Sequence, residues 1–280
     1  MREFFKKIAE QIYNAPDPIN FYFELVRYFE AEDFLIGKVN LLEYIWRLNN
    51  DNELLLEIGD IFFEFEKDSG SAYKYYYEYF KRKSEKGFSN FLNIYNQRNN
   101  ITFCDEEMEF LHENSELTKL YGKFAVIIVI LYYLHSKNEY QLLLDIEAYL
   151  DKIKSEIEEF VFNSCNTNYP ELVQIQEDIK SMSEVLSQTA HHNDINYLAI
   201  KFNPKNEQAY INILDDLLTY KNYKEALSFY NNEYAPIFGK SPVQDLIPVC
   251  WQFVEIFGKQ YNFYKSVFYQ KLALEFELEA

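Results

Sequence analysis

Proline and glycine are scarce, with seven of each in 280 residues, and no proline stands between Pro18 and Pro170. An all-β chain turns roughly every 8–12 residues and draws on both residues to do so. Helices are therefore expected instead. Cysteine is scarcer still. Cys104, Cys165 and Cys250 are widely spaced and odd in number. That argues against a disulfide framework or a clustered zinc site and suits a reducing compartment, the cytoplasm. Basic residues fall well short of acidic ones, 27 against 45, for a formal net charge of -18. Such a chain repels phosphate backbones, so direct nucleic-acid binding is not expected. Long apolar runs are also missing. The longest, Phe124 to Leu134, is short of the about 20 residues that a spanning helix needs. A helix buried on all sides is expected there and no membrane span. The N-terminus, Met1-Arg2-Glu3-Phe4-Phe5-Lys6-Lys7, alternates charge with apolar residues and reads as an amphipathic first helix, not a signal peptide.

What is abundant is aromatic. Phe and Tyr number 25 each, aromatics make up 19% of the chain and hydrophobic residues 48%. That is too apolar for disorder and ample for a core. The acidity serves solubility, or steers the chain toward basic partners.

Apolar residues recur at i, i+3, i+4 and i+7, the spacing of one helical face. Leu55, Ile58, Gly59 and Phe62 make one face, and Tyr73, Tyr76, Tyr77 and Phe80 the next, across Glu66-Lys67-Asp68-Ser69-Gly70. Tyr210, Ile213, Leu214 and Leu217 are followed by Tyr223, Ala226, Leu227 and Tyr230, across Lys221-Asn222. Short turns make neighbouring helices antiparallel, so each pair is expected to be a hairpin. Asp17-Pro18 and Asp51-Asn52 are expected to open helices, and Ser136-Lys137-Asn138 to part the buried helix from an amphipathic one. Breaks are expected at 163–170, near His191 to Asp194, and at Asn203 to Asn206. The first divides the chain into an N-terminal hairpin region, 1–165, and a C-terminal repeat region, 166–280.

On those residues, the segment from Asn203 to Pro242 resembles a tetratricopeptide repeat, a helix-turn-helix unit of about 34 residues. Tyr210, Ile213, Leu214 and Leu217 stand where the family places Trp, Leu, Gly and Tyr. Tyr223 closes the turn and Ala226 is the small residue between the helices. Leu214 departs from the pattern, since Gly is usual there. Leu55, Ile58, Gly59 and Phe62, continuing through Ala72 and Tyr76, look like a second copy that keeps the small residue. Tyr140, Leu143 and Leu144 resemble a second helix without one. Tyr261, Tyr264, Val267 and Leu274 look like a degenerate terminal copy. The resemblance implies an all-α fold of stacked antiparallel hairpins, a partly irregular α-solenoid.

No chemistry-bearing motif emerges. Glu109 and His112 form one Glu-x-x-His, but a di-iron bundle needs a second copy and two further carboxylates. His191 and His192 point about 100° apart on a helix and suit a junction better than a metal. Asp105, Glu106 and Glu107 beside Cys104 would raise its thiol pKa and disfavour a nucleophile. A Gly-rich phosphate loop, His-Glu-x-x-His and a nucleophile elbow are all missing from the sequence. Catalytic residues, metal and cofactor are accordingly expected to be none.

The expected function is a non-enzymatic scaffold or adaptor that holds a basic or amphipathic segment of another protein. By the resemblance, the groove would be lined by Glu53, Glu57 and Asp60 in one unit and by Gln208, Asn212 and Asp215 in the other. The alternative is an acidic immunity or inhibitor protein that occludes a basic toxin or nuclease.

Overall fold

The computed structural model describes residues 1–63, 69–83, 116–164, 170–189 and 192–279, and it is all-α, with no strand among the described residues. The turn expected at Glu66 to Gly70 lies largely outside the described residues, as do most of the break at 163–170, Cys104, Cys165, Glu109, His112 and His191. In order the helices are α1 (Arg2–Asn14), α2 (Ile19–Ala31), α3 (Leu35–Asn49), α4 (Glu53–Ile61), α5 (Ser69–Lys83), α6 (Glu116–Ser136), α7 (Tyr140–Ser164) and α8 (Pro170–Leu186). They continue as α9 (Asn193–Phe202), α10 (Glu207–Thr219), α11 (Tyr223–Phe229), a π-turn (Tyr230–Tyr234), α12 (Ala235–Phe238), α13 (Ile247–Lys259) and α14 (Phe263–Glu279). The chain forms two compact units, Met1–Asp178 and Ile179–Ala280.

Start signals read from the sequence work as anticipated. Asp17 Oδ1 accepts the Ile19 N–H at 3.1 Å, and Asp51 Oδ1 accepts the Glu53 N–H at 3.2 Å. Each satisfies one of the amide donors that a helix start leaves free.

In the first unit α6 is the core. From Phe124 to Leu134 only Tyr132 is not fully buried. The segment Lys119–Ser136 is long and apolar enough to cross a membrane by length and composition, yet 67% of it is buried inside the protein. A helix apolar on every side must be covered on every side, and that requirement shapes the unit. α2 with α3, α4 with α5, and α6 with α7 pack as sequential neighbours, but α3 also lies on α6, and α1 packs on α6 and α7. In a pure solenoid each repeat touches only the next; here α1 returns across the chain to close the core. Lys123 Nζ reaches over to the Tyr13 carbonyl at 2.9 Å, supplying a donor to the last turn of α1.

Several tyrosines fill this core with their hydroxyls paired. Tyr133 lies among Phe5, Tyr28, Phe29 and Phe34, and its hydroxyl donates to Glu32 at 3.0 Å. On α5, Tyr75 and Tyr79 turn inward and donate to Glu43 and Glu53, while Tyr76 donates to Asp60 at 2.6 Å. The crowding of tyrosines on one helix is thus resolved by a carboxylate on a neighbouring helix for each of these hydroxyls. At Gly59 α4 packs against α5 with no room for a side chain: a Cβ there would stand 2.5 Å from the Tyr76 ring. This is the small position that the sequence pattern assigned to it.

In the second unit the expected hairpin is present. α10 ends at Thr219, the chain turns through Tyr220 to Asn222, and α11 begins at Tyr223. Tyr210, Ile213, Leu214, Leu217, Ala226 and Tyr230 are all buried in one apolar cluster. α13 and α14 form the next hairpin and add Phe253, Phe257 and Tyr269, stacked with ring centroids 4.8 and 5.6 Å apart. After α11 the π-turn interrupts the α-helical hydrogen-bond pattern before α12.

Candidate interaction surface

The three acidic candidates on α4 are exposed, and each holds a neighbouring helix. Glu53 accepts from the Tyr79 hydroxyl at 3.1 Å and Asp60 from Tyr76. Glu57 meets the ammonium of Lys38 at 2.9 Å, and Glu30 meets it at 3.0 Å from the other side. Burial alone would lower the Lys38 pKa; the bonds to Glu57 and Glu30 outweigh it and hold the group above its ordinary value.

The candidates on α10 sit deeper. Asn212 Nδ2 donates to the Ser187 carbonyl at 2.7 Å and to Asn196 Oδ1 at 2.9 Å, and Gln208 Nε2 donates to Asn212 Oδ1 at 2.8 Å. Asn196, fully buried, passes the chain of bonds on to the Thr189 and His192 carbonyls. Asn206 caps α10 and donates to Ser183. These amides tie α8, α9 and α10 together where backbone carbonyls would otherwise lie unpaired. Asp215 is buried and accepts from both Lys265 and Tyr269 of α14. It is placed inside the fold and offers nothing to a groove.

Groups suited to catalysis are few among the described residues. Cys250 is buried and its thiol is pushed up to about 12, so it carries no thiolate at neutral pH. No cluster of metal-ligating side chains occurs among the described residues. A polar centre in the first unit gathers Tyr44, Tyr121 and Asp178 near Arg47. Tyr121 donates to Asp178 at 3.3 Å and Gln174 donates to its other oxygen at 3.1 Å. Burial raises the Asp178 pKa, and the bonds from Gln174 and Tyr121 only partly oppose this. Tyr44, Tyr121, Gln174 and Asp178 pair with one another, whereas Arg47 Nε is buried without a hydrogen-bond partner. An open hollow of about 540 Å³ at the start of α11 is lined by Lys221, Lys224 and Glu225 among others.

An exposed apolar surface lies on α14. Its inner face carries Tyr269, Leu272 and Ala273, all buried. Its outer face carries Phe263, Tyr264, Val267, Leu274 and Leu278, which are 65%, 86%, 48%, 45% and 88% exposed. Successive residues step 100° around a helix, so these five and Lys271 share one face about 100° wide. Tyr261, 82% exposed, prolongs it into the turn. An exposed apolar row of this kind marks a contact surface. Of the four residues that look like a degenerate terminal copy, Tyr264, Val267 and Leu274 lie on α14 and Tyr261 in the turn before it, all of them exposed.

No protein-family model matches the chain, and no curated protein and no solved structure matches it significantly.

Proposed function

We propose that this chain is a non-enzymatic helical interaction protein, a scaffold or adaptor of tetratricopeptide-repeat-like hairpins that holds a basic or amphipathic segment of another protein in the cytoplasm. The observation that carries the reading is the apolar row on α14, displayed by a chain of net charge -18. An amphipathic partner covers the row, and the long-range field speeds encounter with a basic one. The hairpins position the row; the carboxylates of α4 stay exposed and add local charge.

A photo-reactive side chain placed at Val267, with a second at Lys154 as control, tests this in extracts of the native cell. A protein cross-linked from position 267 and not from 154 is expected. Crosslinks equal at both positions, or none at either, would overturn the reading. Salt then separates the two forms of it: several partners lost in high salt indicate an adaptor, and one stoichiometric, salt-resistant partner indicates an inhibitor of a basic toxin. Charge reversal at the exposed Asp60 tests the acidic contribution; at buried Asp215 it would test only folding.

A further inference from the structure

Two tyrosines on different helices of the first unit close around one ammonium. Tyr149 and Lys152 lie three residues apart on α7, a spacing that puts two side chains on one face. Helical spacing accounts for that pair but not for Tyr13, which comes from the end of α1. The Tyr13 ring centroid stands 5.9 Å from that of Tyr149, with the ring planes 52° apart. Lys152 Nζ lies 5.0 Å from the centre of the Tyr149 ring and 5.4 Å from that of Tyr13. The three points make a nearly equilateral triangle, and both distances fall inside the roughly 6 Å over which a ring face attracts a cation.

The packing of α1 on α7 fixes this corner. Ile12, Leu150 and Ile153, next to these residues in the chain, are buried. Lys6 pairs with Asp145 at 2.7 Å, and Lys123 Nζ holds the Tyr13 carbonyl at 2.9 Å. Both rings are half-buried while Lys152 is exposed. The frame is therefore anchored, and its occupant reaches in from the solvent side. Glu156, one turn beyond Lys152, lies beside the Tyr13 hydroxyl and raises its pKa. A carboxylate thus stands at the rim.

We propose that Tyr13 and Tyr149, with Glu156 at their edge, form a binding site for a methylated ammonium group, and that Lys152 is its placeholder. In a chain of net charge -18, Lys152 forms no ion pair and no hydrogen bond among the described residues; its ammonium meets only the two rings. An ammonium carries three N–H donors that ring faces leave unsatisfied. A trimethylated nitrogen has none, and its charge reaches the rings through methyl groups that pack on them. Carbon atoms in contact lie about 3.5–4.0 Å apart. A nitrogen 5.0 and 5.4 Å from the ring centres stands at the distance that an N-methyl group between nitrogen and ring would set. The group arrives on a small molecule or on a trimethylated lysine of a protein, and the experiment separates the two. The site is independent of the row on α14, so either stands if the other falls.

The probe is tetramethylammonium, titrated into the full chain at constant ionic strength and followed by the upfield shift that ring faces impose on its N-methyl proton resonance. A saturable shift is expected, with binding roughly threefold tighter in Lys152→Ala, where the resident cation is gone. Tyr149→Leu should weaken binding at least tenfold while the far-ultraviolet spectrum stays unchanged, and Tyr149→Phe, which keeps the ring, should retain it. The acetylated amide of trimethyllysine and choline then identify the carrier: tighter binding of the first assigns the group to a protein, tighter binding of the second to a small molecule. The same amide of unmethylated lysine should bind far more weakly than its trimethylated form. Equal binding of the two lysine amides would reveal nothing but attraction to an acidic chain and would overturn the proposal. So would a shift that Tyr149→Leu leaves unchanged, or an affinity indifferent to Lys152→Ala.

Discussion

Lys221 and Tyr261 occupy the same strained station in two successive hairpins: each is the left-handed residue that ends a helix, and neither is glycine. The following N–H reaches back five residues and the residue's own N–H bonds one turn back, the Schellman arrangement. Asp33 and Asn138 do the same in the first unit, with φ of 59° and 58°. A chain with seven glycines has spent none of them at these four turns.

A left-handed backbone costs an ordinary L-residue roughly 1–2 kcal/mol, and Gly removes that cost while adding freedom to the unfolded chain. Tyr261→Gly and Lys221→Gly are each expected to stabilise the protein by up to about 1 kcal/mol, read as a higher urea midpoint with unchanged slope. Tyr261→Val should destabilise. A fall in midpoint for both glycine variants would contradict the backbone assignment.

Asp215 tests which polar residues hold the fold. Its carboxylate is 7% exposed and receives Lys265 and Tyr269. Removing one partner of a buried pair is costly; Lys265 keeps some solvent access, so Asp215→Ala should cost about 2–3 kcal/mol. Asp60→Ala, on an exposed site, should stay within about 0.5 kcal/mol. Chemical denaturation of both variants decides. Similar losses would mean that Asp215 is not the latch between α10 and α14.

This contrast also marks what the residues alone could convey. The hairpin at Tyr210 to Tyr230 was legible because its apolar residues fall on one face and a short polar turn separates its helices. The buried helix at Phe124 to Leu134 was legible from its length and lack of charge. Asp215 was not: nothing in the local pattern marks an acidic residue as buried, and its partners arrive about fifty residues later, on α14. The outer row of α14 was hidden for a related reason. A helix apolar on both faces has no amphipathic period to read, so packing and display faces look alike in sequence. The closure of α1 onto α6 and α7 was also invisible, since no local pattern specifies which remote helix covers an all-apolar one.

Tyr22 and Gly122 offer a sharper probe of the first unit. The Tyr22 hydroxyl is buried without a hydrogen-bond partner, and a Cβ on Gly122 would meet only that hydroxyl, at 3.7 Å. Tyr22→Phe removes an unpaired polar group and should be neutral or stabilising, whereas Tyr133→Phe, which strips donors from Glu32, should cost about 1 kcal/mol. Gly122→Ala fits the space and gains helix propensity, for about 1 kcal/mol of stabilisation. Destabilisation by Tyr22→Phe would reveal a partner for that hydroxyl.

The buried tyrosines make the protein sensitive to alkali. Burial raises the pKa of Tyr44 to about 12, and burial together with neighbouring acidic groups raises Tyr75, Tyr121, Tyr133 and Tyr269 further. The sign follows from linkage. Below the unfolded value near 10 these hydroxyls are protonated in both states, so their contribution is intact. Above it the unfolded chain loses protons that the folded chain retains, and stability falls as pH climbs toward the folded values. Followed by absorbance at 295 nm, the buried set should ionise in a single step that coincides with loss of helical signal. One smooth titration of all the tyrosines around pH 10, with helicity intact, would show that these hydroxyls are open to solvent and that the aromatic core described for the first unit is wrong.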